Sequence, residues 1–493
     1  MSARISRRIV LVAAGCLSSA CAVGPTFRNP PPPDVTHYAS GEDPVQTLAA
    51  GGTAQRFTPG GTLGAEWWKL FGCVPLDGVV SDALANNPGL DAAEAVLHAS
   101  QDYLRSGYGI FYPAIDAGAG ASRERYSPAN LGQRLPGNIF NLFTLSTSIN
   151  YALDVFGGQR RLVESLHAEV DVARATERGA YLALTANIVN TVIAEAAYRA
   201  EVEATQQLIE LQHQQVGIAE IQARSGTVPY SSVLSLRSQL ASDEAMVPQL
   251  EQKQVQAEDL LAALTAHTPA QWRPPQIELS DLILPADIPV SVPSKLVEHR
   301  PDILAARASA HAASAAIGVA TAALLPTVTL TGSLEAATNS ANALFPTAGR
   351  AFSIGASAEQ PLFEGGALWF KRKAAIDNYH QAMDLYRQAV LGAFQQVADS
   401  LRALEHDAAT LVAEDAALDA ARQALHLIQA NYQAGIATYL DVLYADGQLH
   451  QAQIADIEAR AVRYQDTVAL ITALGGGWSA PSPPSMAAGA RPR

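Results

Sequence analysis

The sequence LDVFGG at residues 153–158 returns as PLFEGG at residues 361–366, 208 residues later. In each place a stretch of alternating side chains, typical of a strand, comes before the six residues, and a long stretch with helical periodicity follows them. A pair of glycines permits a sharp change in backbone direction. We therefore interpret four glycines as strand–helix junctions: Gly157, Gly158, Gly365 and Gly366.

Two other segments recur at nearly the same distance. The sequence FYPAI at residues 111–115 returns as LLPTV at 324–328, and ARSGTVPY at 223–230 returns as YQAGIATY at 432–439, at offsets of 213 and 209 residues. Three separate landmarks with almost one offset indicate an internal duplication. Each half then reads as helix, strand, strand, helix.

Each half contains two predicted strands, and a proline precedes the first of them. Pro113 and Pro326 end the incoming helices, because proline lacks a backbone N–H and blocks the preceding turn. About ten alternating residues are enough for one tilted crossing of an outer membrane. The predicted strands are residues 114–125, 142–155, 327–336 and 351–363.

Long helices follow both glycine pairs. The first is predicted to run from Gly158 to Arg224, which at 1.5 Å per residue gives a length of about 100 Å. Helices this long are typical of coiled coils rather than of ordinary globular domains. Gly226 and Gly435 then break the helices, and a new helix begins at once. Each half therefore ends in a helical hairpin whose turn lies far from the strands.

The composition argues against several functions. The chain carries 33 Lys and Arg against 47 Asp and Glu, a formal net charge of −14. An acidic balance argues against binding nucleic acid and fits either a solvated surface or a water-filled passage that favours cations. The eleven histidines show no metal-ligand spacing, and no catalytic motif occurs. We therefore expect no enzymatic activity, no metal and no cofactor.

The N-terminus reads as a bacterial export signal. Three arginines precede a short apolar run and a zone of small residues, so residues 1–20 are predicted to be a signal peptide. Cys21, directly after the signal, is the predicted lipidation site, and Cys16 is its rival. No later apolar run is long enough for a transmembrane helix, which leaves a soluble, lipid-anchored or β-barrel protein.

The remaining boundaries follow from changes in composition. We predict an extended, lipid-anchored tether at residues 21–62, a first repeat at 63–267 and a Pro-rich linker at 268–295. A second repeat follows at residues 296–477. The Pro- and Ala-rich tail at residues 478–493 is predicted to be disordered.

The predicted strands require more than one chain. Four strands cannot close around a lumen, and an open sheet in lipid would leave backbone groups without hydrogen bonds. Three chains would supply twelve strands, which lies within the known range of barrels. The same symmetry would continue the barrel as a ring of helices. The expected fold is thus an α+β membrane protein: a trimeric twelve-stranded β-barrel continued by an α-helical coiled-coil barrel.

Eight short motifs occur in a fixed order along the chain. They are CAVGP at residues 21–25, WW at 67–68, LDVFGG at 153–158, RPDI at 300–303, LP at 325–326, QPLFEGG at 360–366, YLDVL at 439–443 and LGGGW at 474–478. Single motifs are weak, but eight in this order are specific. By these motifs the chain resembles the trimeric outer-membrane efflux proteins of the TolC type, in particular their lipoprotein, NodT-like branch.

The resemblance implies location, partners and function. It implies a lipid-anchored homotrimer in the bacterial outer membrane that extends into the periplasm. It also implies a periplasmic adaptor protein and an inner-membrane pump, here expected to be of the RND type, which hand small molecules to the channel. No reaction is implied. The turns at Gly226, Thr227 and Gly435 are the places where an adaptor is expected to dock.

The resemblance also points to residues that close the periplasmic aperture. They are expected to be Tyr432, Asp441, Tyr444 and Asp446. Three Asp441 carboxylates around the axis would form a ring that favours cations and raises its own pKa by repulsion. Alternatively, Asp441 caps the helix after the Gly435 turn. The chain departs from the family pattern, which often has a carboxylate at the position of Tyr444 and an arginine at that of Ala437.

Two other functions remain open on sequence grounds. A protein-secretion system uses channels of the same type, and the lipoprotein-like N-terminus favours small-molecule efflux only by analogy. A non-conducting periplasmic coiled-coil protein is the other alternative. The two predicted strand pairs argue against it, because a pure coiled coil has no need of them.

Overall fold

The computed structural model describes residues 22–39, 41–61, 63–126, 137–344 and 350–476. The chain divides into two compact units, which we describe separately. The sheet unit comprises Met1–Pro30, Val96–Ala173 and Ala305–Tyr386. The hairpin unit comprises Pro31–Ala95, Arg174–Leu304 and Arg387–Arg493. The predicted signal peptide, Cys21, its rival Cys16 and the predicted tail at 478–493 all lie outside the described residues.

The described elements are mostly helical, with six strands. In chain order they are β1 (Arg56–Pro59), α1 (Val74–Asn86), α2 (Pro88–Gly107), β2 (Ala114–Tyr126), β3 (Asn138–Leu153), α3 (Gly158–Arg224), α4 (Tyr230–Glu244), α5 (Val247–Leu264), β4 (Asp287–Val290), α6 (Pro293–His299), α7 (Pro301–Ala322), β5 (Thr327–Thr338), β6 (Arg350–Glu359), α8 (Ala367–Gln433) and α9 (Tyr439–Ala473).

The sheet unit contains an antiparallel sheet with the strand order β2-β3-β5-β6. The register pairs Ala114 with Asn150, Leu153 with Val328, and Thr327 with Glu359. Strands β2 and β6 form the two edges, and neither has a second partner within the described residues. The sheet carries exposed apolar side chains such as Phe352 and Ile354. A four-stranded sheet with two free edges is therefore the product of one chain.

The observed strands correct two of the predicted boundaries. β3 was expected at residues 142–155 but begins at Asn138, because the residues before 142 continue the ladder with β2 up to the pair of Asn138 with Tyr126. β6 was expected to reach residue 363 but ends at Glu359. Pro361 follows shortly after, and a proline cannot donate to a ladder.

The junctions and long helices follow the glycine pattern. Gly157, Gly365 and Gly366 have positive φ angles of 80°, 59° and 86°, whereas Gly158 is already the first residue of α3. Helices α3 and α8 each have 67 residues. Strand β2 begins directly after Pro113, and β5 begins directly after Pro326. The backbone therefore turns at these glycines without the strain that a Cβ would cause.

Helix α8 carries apolar residues in alternating steps of four and three from Val390 to Leu411, and this heptad seam is buried in the hairpin unit. Of its seven residues, Phe394 is only half-buried and the other six are at most 6% exposed, as in the packing of a coiled coil. The buried seam residues are Val390, Val397, Leu401, Leu404, Ala408 and Leu411.

A second core in the hairpin unit surrounds the paired tryptophans. Trp67 and Trp68 are 1% and 2% exposed and meet edge to face with their ring centres 6.2 Å apart. They pack with α1 and with the middle of α3, where Ile188 and Ile193 are fully buried. Burial of aromatic side chains on this scale contributes strongly to the stability of a fold.

Parts of the predicted tether and linker are folded within the hairpin unit. β1 pairs in parallel with β4, although these strands lie in the segments predicted as tether and linker. Phe57 is 4% exposed. The buried Arg463 donates hydrogen bonds to the carbonyl oxygens of Ala50 and Thr53 at 2.9 and 3.0 Å. A distant buried guanidinium, invisible to local sequence analysis, therefore orders a segment that composition alone describes as extended.

Two helices, α3 and α7, are long and apolar enough to cross a membrane by length and composition alone. Their most apolar windows are 56% and 33% buried within the protein. Core helices of soluble proteins pass the same test, so this is weak evidence for a membrane-spanning helix.

Candidate functional site

The first helical turn lies between α3 and α4. The N–H of Thr227 donates to the carbonyl of Gln222 at 3.0 Å, and that of Gly226 donates to the carbonyl of Ala223 at 3.1 Å. This double closure around a glycine with φ of 77° is a Schellman motif. Helix α4 then begins at Tyr230, and Pro229 supplies no side-chain cap.

The second turn, between α8 and α9, has the same backbone geometry. The N–H of Ile436 donates to the carbonyl of Asn431 at 2.8 Å, and that of Gly435 donates to the carbonyl of Tyr432 at 3.0 Å. Gly435 has a φ angle of 73°. Helix α9 then begins with a capping box that the first turn lacks, formed by Thr438 and Asp441.

Asp441 is an exposed capping residue within a single chain. Its carboxylate accepts hydrogen bonds from the Thr438 amide at 2.8 Å and from the Thr438 hydroxyl at 2.6 Å. These bonds lower the pKa of Asp441. A carboxylate ring would raise this pKa, so the contacts within one chain act in the opposite direction to the ring predicted from the sequence. Within one chain, Asp441 is therefore part of the cap of α9, which is the alternative that the sequence left open.

Tyr432 connects the two hairpins. Its phenol oxygen accepts a hydrogen bond from the side-chain amide of Gln222, at the end of α3, at 3.0 Å. Its ring meets Tyr439 edge to face, with the ring centres 5.6 Å apart. Tyr439 and Leu443 in turn pack against the apolar core of the first hairpin, around Val233 and Leu236.

Asp446 makes a second connection, one level further along α9. It is 2% exposed and accepts a hydrogen bond from the side-chain amide of Gln215 on α3. Burial raises the pKa of this carboxyl, and the Gln215 bond opposes the shift. Tyr444, in contrast, is 70% exposed. Of the four residues expected at the aperture, Tyr432 and Asp446 therefore join the hairpins, whereas Asp441 and Tyr444 are exposed in a single chain.

Further buried polar side chains lie beyond Asp446 in the same hairpins. His450 is 8% exposed, and neither ring nitrogen has a hydrogen-bond partner among the described residues. Burial lowers the pKa of His450, while the nearby carboxylate of Asp243 acts against this shift. Asp243 itself is 6% exposed and accepts a hydrogen bond from the side-chain amide of Gln212 at 2.7 Å.

The glutamines and His450 were missed by the sequence analysis, although a signal exists. Along α3, Leu208, Gln212, Gln215, Ala219 and Gln222 follow one another in steps of four and three residues. This is a heptad seam in which three positions carry an amide. Polar residues on a seam must find buried partners, and here Tyr432, Asp446 and Asp243 are those partners.

The two strand–helix junctions differ in their capping. Asp154 accepts hydrogen bonds from the backbone N–H groups of Gln159 and Arg160 at 3.0 and 3.1 Å, and so caps α3. At the offset of 208 residues its counterpart is Leu362, which is 92% exposed and cannot cap.

The described residues contain no group of three or more His, Cys, Asp or Glu placed to hold a metal ion.

Comparisons with known proteins agree on one family. The sequence model described as "Outer membrane efflux protein" matches residues 79–267 and 292–476. The pyoverdine export outer membrane protein OpmQ of Pseudomonas aeruginosa is 30% identical, over 84% of this chain and 87% of its own length. Nodulation protein T of Rhizobium leguminosarum bv. viciae is 28% identical, over 97% of this chain and 95% of its own length.

Solved structures lead to the same result. The outer-membrane channel OprN is 26% identical and superposes with a TM-score of 0.83, covering 93% of this chain and all of the other. The outer membrane protein VceC of Vibrio cholerae is 28% identical and superposes with a TM-score of 0.77, over 85% of this chain and all of the other. These findings confirm the resemblance found in the sequence: the chain belongs to the outer membrane efflux protein family.

Proposed function

We propose that this chain is the outer-membrane exit duct of a tripartite efflux system. Three copies form a twelve-stranded barrel in the outer membrane, continued by a barrel of helices that extends into the periplasm. A periplasmic adaptor and an inner-membrane pump of the RND type complete the system. The chain arose by internal duplication, and the two separate matches to the family's sequence model support this view.

One observation carries the proposal: the sheet β2-β3-β5-β6 has two free edges and exposed apolar side chains within one chain. Free edges in lipid would leave backbone groups unsatisfied, so the sheet needs neighbouring copies to close. The test is the mass of the detergent-purified protein together with its conductance in a planar bilayer. A conducting trimer is expected, and a monomer that never conducts would refute the proposal.

The cargo belongs to the class of small organic molecules. Relatives of this chain are named for the export of pyoverdine, for antibiotic efflux and for toluene efflux. These names share no chemical group, which fits a duct whose pump selects the substrate. Loss of the chain should therefore raise the sensitivity of its host to several unrelated small compounds together.

Lipid anchoring at Cys21 is part of the proposal. Cys21 follows the predicted signal peptide directly and opens the motif CAVGP. Cys21→Ser should abolish labelling of the protein with radioactive palmitate, whereas Cys16→Ser should leave the labelling intact. The reverse result would move the anchor to Cys16.

We further propose that contacts between the two hairpins hold the periplasmic end closed. Gln222 with Tyr432 and Gln215 with Asp446 are buried or half-buried pairs that an opening movement must break. Three Asp441 carboxylates and the exposed Tyr444 side chains then face the axis in the trimer. The exposed turns at Gly226, Thr227 and Gly435 form the docking surface for the adaptor.

Tyr432→Phe together with Asp446→Ala tests this closure, because the pair removes both polar connections while keeping the Tyr432 ring. Conductance in a planar bilayer should rise above that of the wild type. Tyr230→Phe is the matched control, since it removes an exposed phenol from the first hairpin and leaves both polar connections in place. Equal conductance of the double variant and the wild type would remove these residues from the aperture.

A further inference from the structure

Residues 22–27 lie against the first turn of α3 and the middle of α7, within the sheet unit. The N–H of Val23 donates to the carbonyl of Phe156 at 3.0 Å. In return, the Arg161 guanidinium donates from Nε to the carbonyl of Val23 at 3.1 Å and from Nη2 to the carbonyl of Gly24 at 3.4 Å. The segment is thus held through its backbone, by one charged side chain that is 7% exposed.

Arg161 is itself held by a chain of side chains. Its Nη1 donates to Glu164 Oε2 at 2.7 Å, and Glu164 Oε1 lies 3.0 Å from His311 Nε2 on α7. Burial alone would raise the pKa of Glu164, but the bonds from Arg161 and His311 outweigh it and the pKa is lowered. The His311 ring stacks on Phe27, with the ring centres 4.7 Å apart. These connected side chains therefore contact the N-terminal segment at both ends, through Arg161 and through His311.

Two glycines make the close approach possible. Gly24 has a φ angle of +92°, and a Cβ placed on it would lie 2.5 Å from the Cα of Gly318. A Cβ on Gly318 would lie 2.6 Å from Cγ of Arg161 and 2.9 Å from the carbonyl oxygen of Val23. Contacts this short require movement of the backbone. The fit of the segment on α7 thus depends on the absence of side chains at both positions.

The second junction offers no such site. At the offset of 208 residues the counterpart of Arg161 is Trp369, which is 59% exposed. Leu362 and Phe363 are 92% and 89% exposed in the same place. Within the described residues, the retaining contacts thus belong to the first junction alone.

We propose that Arg161 is the positioning residue of a retaining site, formed with Glu164, His311 and Gly318, that holds residues 22–27 at the junction of β3 and α3. Release of the segment would leave two donors of a buried guanidinium without acceptors, which makes the occupied site the stable one. The role of this site at the membrane rests on the proposed lipid anchor at Cys21. The site keeps the anchor at a fixed distance from the sheet.

Two substitutions test the site by different physics. Gly318→Ala adds a methyl group that the segment cannot accommodate, although alanine favours the interior of a helix such as α7. Arg161→Lys keeps the charge beside Glu164 but lacks the forked donors that reach Val23 and Gly24. Gly392→Ala is the matched control, because Gly392 also lies inside a helix and nothing lies within 4 Å of a Cβ placed there.

The readout is hydroxyl-radical footprinting of the full-length trimer in detergent. Oxidation of Phe27 and His311 should rise several-fold in Gly318→Ala and Arg161→Lys and should stay at the wild-type level in Gly392→Ala. Trp67, which is 1% exposed in the hairpin unit, should remain protected in all variants, which separates release of the segment from unfolding.

Wild-type oxidation of Phe27 and His311 in both variants, with Trp67 protected, would overturn the retaining site. Palmitate labelling of the same samples tests the anchor independently. A protein without palmitate whose Phe27 is protected only when Arg161 and Gly318 are present would keep the retaining site and refute the lipid anchor.

Discussion

The two helical turns of this protein share a backbone but not a chemistry. Around Gly226 and around Gly435 the same pair of backbone hydrogen bonds closes the preceding helix. After the first turn come Pro229 and a helix without a side-chain cap, whereas after the second come the capping box of Thr438 and Asp441 and the tyrosine that meets Tyr432. The two hairpins thus have the same turn but different side chains around it.

This difference gives the two hairpins complementary hydrogen-bonding roles. The first hairpin supplies amide donors from Gln215 and Gln222, and the second supplies the acceptors Asp446 and Tyr432. At the offset of 209 residues, Asp446 corresponds to Arg237, which is exposed and pairs with the Glu220 carboxylate at 2.5 Å. A buried connection between hairpins therefore occupies the position at which the first hairpin has only a surface ion pair, which contributes little.

The largest effect is expected from Asp446→Ala. It leaves the buried amide of Gln215 without an acceptor, a cost of about 1–3 kcal/mol that an opening movement would relieve. The open state should gain about tenfold relative to the closed one, measured as open probability in planar bilayers. Arg237→Ala, at the corresponding exposed position, should change it by less than about twofold. If Asp446→Ala and Arg237→Ala change the open probability equally, the buried contact of Asp446 has no special role in closing the duct.

Thr438→Ala removes the capping box of α9. Loss of such a cap costs about 1 kcal/mol, because an orphan N–H loses its acceptor. Amide hydrogen exchange in the first turn of α9 should accelerate about fivefold. Pro229→Ala provides the comparison at the first turn, where no side-chain cap exists to be lost. If Pro229→Ala accelerates exchange in the first turn of α4 as much as Thr438→Ala does in α9, the capping box does not stabilise α9.

Tyr432→Phe sharpens the comparison further. It keeps the edge-to-face contact with Tyr439 but removes the hydrogen bond to Gln222, worth about 0.5–1.5 kcal/mol. Open probability should rise about twofold to tenfold. Tyr444→Phe provides the comparison at the exposed aperture tyrosine. A response to Tyr444→Phe but not to Tyr432→Phe would place the closing contact on the other tyrosine.

The smallest effect concerns pH. The folded protein holds His450 with a lowered pKa, so it binds fewer protons there than the unfolded chain does. The stabilising contribution of neutral His450 is therefore present above the unfolded value of about 6.5 and is lost as pH falls below it. Protection factors in α9, which are corrected for the intrinsic pH dependence of amide exchange, should fall as the pH is lowered from 7.5 to 5.5.

His450→Leu should reduce this pH dependence, because leucine fills the buried site without titrating. Asp446 acts in the opposite sense: its raised pKa gives a contribution that is lost as pH rises, and it should persist in His450→Leu. His426→Leu is the control at an exposed histidine of α8. An unchanged pH profile in His450→Leu would assign the acid sensitivity to another group.

The strands, junctions and turns could be predicted from the sequence because each depends on residues close together in the chain. Alternating side chains mark the four strands, glycine pairs mark the junctions, and Gly226 and Gly435 mark the turns at which only a residue without a Cβ is free of strain. The end of β6 was misplaced because the apolar residues before Gly365 continue the pattern beyond the last paired residue, Glu359.

The contacts that we propose to hold the duct closed join residues far apart in the chain. Gln222 meets Tyr432 across 210 positions, and Arg463 orders the segment around Ala50 across 413. Neither pair has a local signature. The heptad seam of α3 indicates that Gln215 and Gln222 lie on a packed face, where both are half-buried, but only the packed hairpins show that Asp446 and Tyr432 are their partners.

Single-channel recording of the purified protein is the most direct test of the central claim that polar contacts between unlike hairpins close the duct. Wild-type protein should show small, cation-selective conductance, and the Tyr432→Phe, Asp446→Ala double variant should stay open for most of the recording. A double variant that opens no more often than the wild type, with its trimer intact by mass, would contradict this account.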